Sequence, residues 1–199
     1  MSKTIILASG SPRRKELLGL ADVQIEIISP DINEDLKKGE KPVVMVKRLA
    51  FEKAREVARL IQAQKRSGII LAADTTVVSY KNEILGKPSS KNEAYEMISD
   101  LQGRAHFVFT GYSLLSIARG VIKAKVVKSV RTRVFIRALS PKEIRAYVAK
   151  GESMDKAGSY AAQGSGMGII EKIEGSYTNV VGLPLAEVLR DLRKFGWKV

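Results

Sequence analysis

Short apolar runs alternate along the chain with stretches of helical spacing, and that alternation predicts the elements. The run at 5–8 reads as a strand, the small residues Ser9-Gly10-Ser11 as a tight turn, and a helix opens at Ser11 or Pro12. Leu17 and Leu18 start its buried face, and it stops near Gly19. A second strand is expected at 24–28. Over 41–62 the residues Val43, Val46, Ala50, Ala54, Val57, Ala58 and Ile61 recur at helical spacing, and Lys53 falls inside that apolar stripe. The segment 68–73 reads as a buried strand ended by Asp74, with 75–80 continuing in extended form. A hairpin turn at 81–83, the segment 84–88 that carries Lys87, a helix over 92–101 closed by Gly103, and a long hairpin or meander from 106–117 and 121–136 follow. Ser140-Pro141-Lys142-Glu143 is a capping box opening a helix to about Lys150. A strand at 169–173, a loop at 175–179 and a terminal amphipathic helix from Pro184 complete the chain. This order, without repeat or linker, predicts one α/β or α+β domain over 1–199 built on a mixed sheet.

Composition narrows the chemistry. With 34 Lys and Arg against 21 Asp and Glu, the formal net charge is +13, which suits anionic partners. The basic residues are dispersed, however, and only 6% of residues are aromatic, so a solvated charged surface accounts for most of the excess. The absence of cysteine excludes disulfides, thiol nucleophiles and thiolate metal sites, and a single histidine excludes a His-rich zinc site. No long apolar leader precedes the first strand and no apolar run approaches the ~20 residues of a membrane span, so no membrane association and a cytoplasmic location are expected.

Several positions are candidates for chemistry. The turn into the first helix gathers Ser9, Ser11, Arg13 and Arg14 at a positive dipole end; it is either a phosphate cradle or an ordinary capped surface helix. Lys53 either snorkels to a surface or reaches an anion beside the core. Asp74, at the end of an apolar strand, is either a structural carboxylate or a group whose charge is used. The acidic loop 29–35 offers oxygen ligands or is a solvated turn, and Lys87 is held between Gly86 and Pro88. The segment 155–168, with four glycines, reads as a loop shaped for close backbone approach to a ligand. His106 reads as a half-buried strand histidine, and Arg131, Arg133 and Arg137 as a basic strand face.

Five stretches together carry a resemblance to a family: SGSPRR at 9–14, AADT at 72–75, LGKP at 85–88, DKAGSYAAQG at 155–164 and NVVGLPL at 179–185. In order and spacing the chain resembles the Maf family of nucleotide pyrophosphatases, first associated with inhibition of septum formation. The resemblance implies an elongated mixed sheet flanked by helices, of Maf/ITPase type, in two lobes about a central cleft. It implies hydrolysis of a nucleoside triphosphate to the monophosphate and pyrophosphate, assisted by a divalent metal, Mg²⁺ or Mn²⁺, and a homodimer as the candidate assembly. Arg13, Thr75 and Gln163 match the dTTP/UTP branch, whereas the branch directed at methylated guanine nucleotides has tryptophan, glutamine and glutamate there. Thr76 and Ala161-Ala162 depart from the usual pattern and leave the preference among pyrimidines open.

By the same resemblance Asp74 is the proton acceptor and a metal ligand, Glu34 a second oxygen ligand, and Lys53 and Lys87 catalytic cations. Ser9, Ser11, Arg13 and Arg14 hold the triphosphate, while Gln163, helped by Thr75, reads the pyrimidine edge. Two rivals stay open: a basic nucleic-acid-binding or cell-division regulatory protein without turnover, and the same chemistry on a non-canonical purine nucleotide. The enzyme reading needs no nucleic acid as partner.

Overall fold

The computed structural model describes residues 4–197. Strands β1 (Thr4–Leu7), β2 (Gln24–Ile27), β3 (Gly68–Val78), β4 (Ile84–Leu85), β5 (Arg104–Ala118), β6 (Val121–Ile136) and β7 (Ile170–Glu174) form one sheet. Its order is β2-β1-β3-β5-β6-β7, with β4 also on β3. β1 runs parallel to β2 and β3, while β4 and β7 are antiparallel to β3 and β6, so the sheet is mixed as expected. The helices are α1 (Pro12–Gly19), α2 (Pro42–Ala63), α3 (Lys91–Leu101), α4 (Pro141–Ala149), α5 (Tyr177–Val181) and α6 (Leu185–Lys194).

The chain divides into two compact units, Met1–Asp74 with Thr110–Val130 and Gly182–Val199, and Thr75–Phe109 with Arg131–Val181. In the first, the stripe Ala54, Val57, Ala58 and Ile61 of α2 packs with Ile6 and Ala8 at β1, Ile70 and Ala72 of β3, and Leu115 and Ile117 of β5. The helical period of one element and the strand period of the others bring those side chains to one face each. α2 lies so close to β5 that a Cβ on Gly111 would sit 2.2 Å from the Val46 carbonyl oxygen. In the second unit the core is Val77, Ala94, Ile98, Leu101, Val108, Val134, Ile136, Ile144, Tyr147, Val148 and Tyr160. The Ser140 capping box forms with both of its halves, and Ser90 caps α3 by accepting the Glu93 N–H at 3.1 Å.

Two sequence expectations are corrected. Asp74 does not end a strand: β3 continues unbroken from Gly68 to Val78. Its carboxylate has a lysine partner, and the β-branched residues Thr75 to Val78 prefer the extended chain beyond it. The expected loop at 175–179 instead closes into α5, whose first turn is held by Ser176 Oγ accepting the Asn179 N–H at 3.2 Å.

Candidate functional site

The turn between β1 and α1 is built around Ser9. Its buried hydroxyl accepts the Ser11 N–H at 3.3 Å and Arg14 Nη1 at 3.0 Å. Arg14 Nε donates to the Gly182 carbonyl at 2.9 Å, 168 residues away in sequence, so the guanidinium is anchored at two points. Burial pulls the Arg14 pKa below its ordinary value; Asp74 and Glu34 act in the opposite direction and Arg13 adds to the lowering. Arg14 thus sits in the field of both carboxylates. Ser11 occupies the N-cap position of α1 without a side-chain cap, and Pro12 takes the first turn.

Lys53 projects from the apolar stripe of α2 and is buried. Its ammonium lies 2.7 Å from Asp74 Oδ1 and 3.0 Å from Glu34 Oε1. It does not snorkel; it meets two carboxylates, of which Asp74 is buried and Glu34 exposed. A lone ammonium or carboxylate in such a place costs several kcal/mol, about the penalty that pairing offsets. Among the candidates in the first unit the structure therefore groups Ser9 with Arg14, and Glu34 with Lys53 and Asp74.

Arg13, next to Arg14 on α1, also belongs to the first unit, whereas Thr75, Lys87 and Gln163 belong to the second. Thr75 follows Asp74 on β3 and is half-buried, as is Gln163, while Lys87 is exposed after β4. Two of the stretches that marked the sequence meet here, because the Gly86 carbonyl accepts the Gly158 N–H at 3.0 Å. Gly158 has φ of +70° and touches Val77 so closely that a Cβ would lie 2.9 Å from Val77 Cγ1. His106 is fully buried rather than half-buried, with Nε2 2.6 Å from the Tyr160 hydroxyl, and burial pushes its pKa down to about 4. It is a neutral core group. Arg131 stacks on Phe107, Arg133 on Phe135 near Glu174, and Arg137 pairs with Glu143, so the basic strand face is tied down locally.

Sequence reading missed Tyr147 and Glu152, which hold the glycine-rich loop, and the Gly182 carbonyl that anchors Arg14. No periodicity marks them; only the glycines at 158, 164 and 166 hinted that backbone is closely approached there. Among the described residues no helix is long and apolar enough to cross a membrane.

The Maf-like protein family matches residues 4–195. A protein of Geobacter sp. (strain M21) named dTTP/UTP pyrophosphatase is 47% identical over 98% of this chain and 97% of its own length. Proteins of the same name from Bacillus mycoides (strain KBAB4) and Dictyoglomus thermophilum are 45% and 42% identical, covering 97% and 100% of the chain and 96% and 100% of their own lengths. In fold, the Ham1 protein of Staphylococcus aureus matches with a TM-score of 0.50 at 15% identity, over 98% of this chain and all of that one. A HAM1 protein from Coxiella burnetii gives the same score at 18% identity, over 96% and 99% of the two chains.

Proposed function

Because this chain belongs to the Maf family, we propose that it hydrolyses dTTP and UTP to the nucleoside monophosphate and pyrophosphate, clearing these nucleotides from the pool. The observation that carries the reading is the buried Lys53 ammonium between Asp74 and Glu34, with Arg14 in the field of both carboxylates.

In this reading Lys53 donates to Asp74 Oδ1 and orients the carboxylate, so that Oδ2 takes the proton of the attacking water. The water oxygen forms a bond to the α-phosphorus. The bond from that phosphorus to the bridging oxygen breaks, and its electron pair leaves with pyrophosphate. Ser9, Ser11, Arg13, Arg14 and the N–H groups opening α1 bind phosphate oxygens, and Lys87 is a further phosphate-binding cation. Gln163, aided by Thr75, reads the pyrimidine edge through its amide.

Asp74 and Glu34 both reach the Lys53 ammonium, and as hard oxygen donors they are of the kind that suits Mg²⁺ or Mn²⁺. Among the described residues no group of three or more His, Cys, Asp or Glu is placed to hold an ion, so these two carboxylates would be joined by phosphate and water oxygens. When bound, the cation supplies charge neutralisation on the phosphate oxygens.

The test is release of monophosphate and pyrophosphate from a panel of pyrimidine and purine triphosphates with Mg²⁺, Mn²⁺ or EDTA. Metal-dependent turnover of dTTP and UTP is expected, and Asp74→Asn is expected to lower kcat by about 10³-fold with nucleotide binding retained. Folded protein that releases pyrophosphate from neither nucleotide would overturn the reading.

A further inference from the structure

The backbone on either side of Gln163 is fastened by side chains outside the proposed site. On one side the Tyr147 hydroxyl, from α4, accepts the Ala161 N–H at 3.1 Å, and the Tyr177 hydroxyl donates to the Ala162 carbonyl at 3.0 Å. On the other side Glu152 accepts the Ser165 N–H on Oε1 at 3.1 Å and the Gly166 N–H on Oε2 at 3.2 Å. The Tyr147 hydroxyl also lies 3.5 Å from Glu152 Oε2, linking the two clamps. The loop is threaded tightly around them. Gly164 has φ of +60°, and a Cβ there would lie 2.2 Å from Glu152 Oε1; a Cβ on Gly166 would lie 1.9 Å from the Ala161 carbonyl oxygen.

We infer that Glu152 is a positioning residue for base selectivity: it bridges the Ser165 and Gly166 N–H groups and thereby fixes the backbone from which Gln163 meets the pyrimidine. The inference rests on the reading of Gln163 as the base contact. An amide discriminates bases by which of its ends, carbonyl or NH₂, faces each donor and acceptor, so its value depends on a fixed backbone origin. Two neighbouring N–H groups need two acceptors in one plane, and an ionised carboxylate supplies both. Glutamine in its place would turn an NH₂ donor against one of the N–H groups. The effect of that change falls on the base end of the nucleotide and not on Asp74 chemistry.

The experiment measures kcat and KM for dTTP, UTP and dGTP in the parent protein and in Glu152→Gln, Glu152→Asp, Gln163→Ala and the double variant Glu152→Gln/Gln163→Ala. Loss of a bridged pair of hydrogen bonds is expected to raise the pyrimidine KM in Glu152→Gln about tenfold, with kcat within about threefold of the parent. The preference for dTTP over dGTP falls toward that of Gln163→Ala, and the double variant loses no more than Gln163→Ala alone. Glu152→Asp, with both acceptors, keeps more of the preference than Glu152→Gln. Additive losses in the double variant, or an unchanged preference in Glu152→Gln, overturn the inference while the proposed function stands. If the parent does not turn over dTTP and UTP, or Gln163→Ala keeps the parent's preference, the underlying reading fails and this one with it. Should Glu152→Gln not fold, amide exchange in the parent decides: slow exchange of the Ser165 and Gly166 N–H groups is expected, and exchange at the rate of exposed loop amides overturns the clamp.

Discussion

Lys53 separates a structural from a chemical role at the scale of one residue. Its ammonium is the partner of buried Asp74, so Lys53→Met takes away that carboxylate's hydrogen-bonded counter-charge and is expected to cost about 3 kcal/mol of stability. Adding Asp74→Asn removes the stranded charge. The double variant should recover most of the stability in urea unfolding yet stay inactive; recovery of turnover would reduce both residues to a structural pair. His106 makes a second prediction, in acid. Its folded pKa of about 4 lies below the ordinary value of 6.5, so the unfolded chain binds the proton first. The stabilisation is complete above pH 6.5 and is lost as pH falls toward 4, about 3 kcal/mol in all and about 2 kcal/mol of it by pH 5. Urea midpoints between pH 7.5 and 5 should show this limb, and His106→Gln should flatten it.

Helices and strands sort into those decided by local signals and those decided by a partner. α4 carries its start in four residues, the capping box and Pro141, and forms where they stand. The packing of α2 on β5 depends instead on one absent side chain. Gly111→Ala would place a Cβ 2.2 Å from the Val46 carbonyl oxygen and 2.7 Å from the Lys47 nitrogen, contacts with backbone that no rotamer change relieves. It is expected to destabilise the first unit by about 3 kcal/mol or more, read as a lowered Tm and a loss of soluble protein. A Tm within a few degrees of the parent would show that α2 shifts freely along the strand. β3 and α5 illustrate the same division, since the strand passes through Asp74 because Lys53 answers its charge, and the helix closes on Ser176.

At the scale of the whole molecule basic residues outnumber acidic ones by 13, and several of the basic residues meet local acidic partners. Arg48 meets Glu40 and Glu52, Lys81 meets Asp100, and Lys128 and Lys194 meet Asp191, whose carboxylate also accepts the Tyr112 hydroxyl. Burial pushes the Asp191 pKa up, but these hydrogen bonds outweigh it and hold the group at about 2. The relatives named dTTP/UTP pyrophosphatase match 98% and 100% of this chain.

The sequence alone was enough for most of the element order, the mixed α/β class and the family, because strand and helix periods, caps and short motifs are local properties. It placed Lys53 inside an apolar stripe without saying what the ammonium met. Only the tertiary structure decided that, since Glu34, Lys53 and Asp74 come from a loop, a helix and a strand and converge through packing. The same holds for Arg14 on the Gly182 carbonyl and for Glu152 beneath the Gln163 loop. Each is a contact between distant segments, fixed by burial and by the need of every buried donor for an acceptor, and neither leaves a period in the chain.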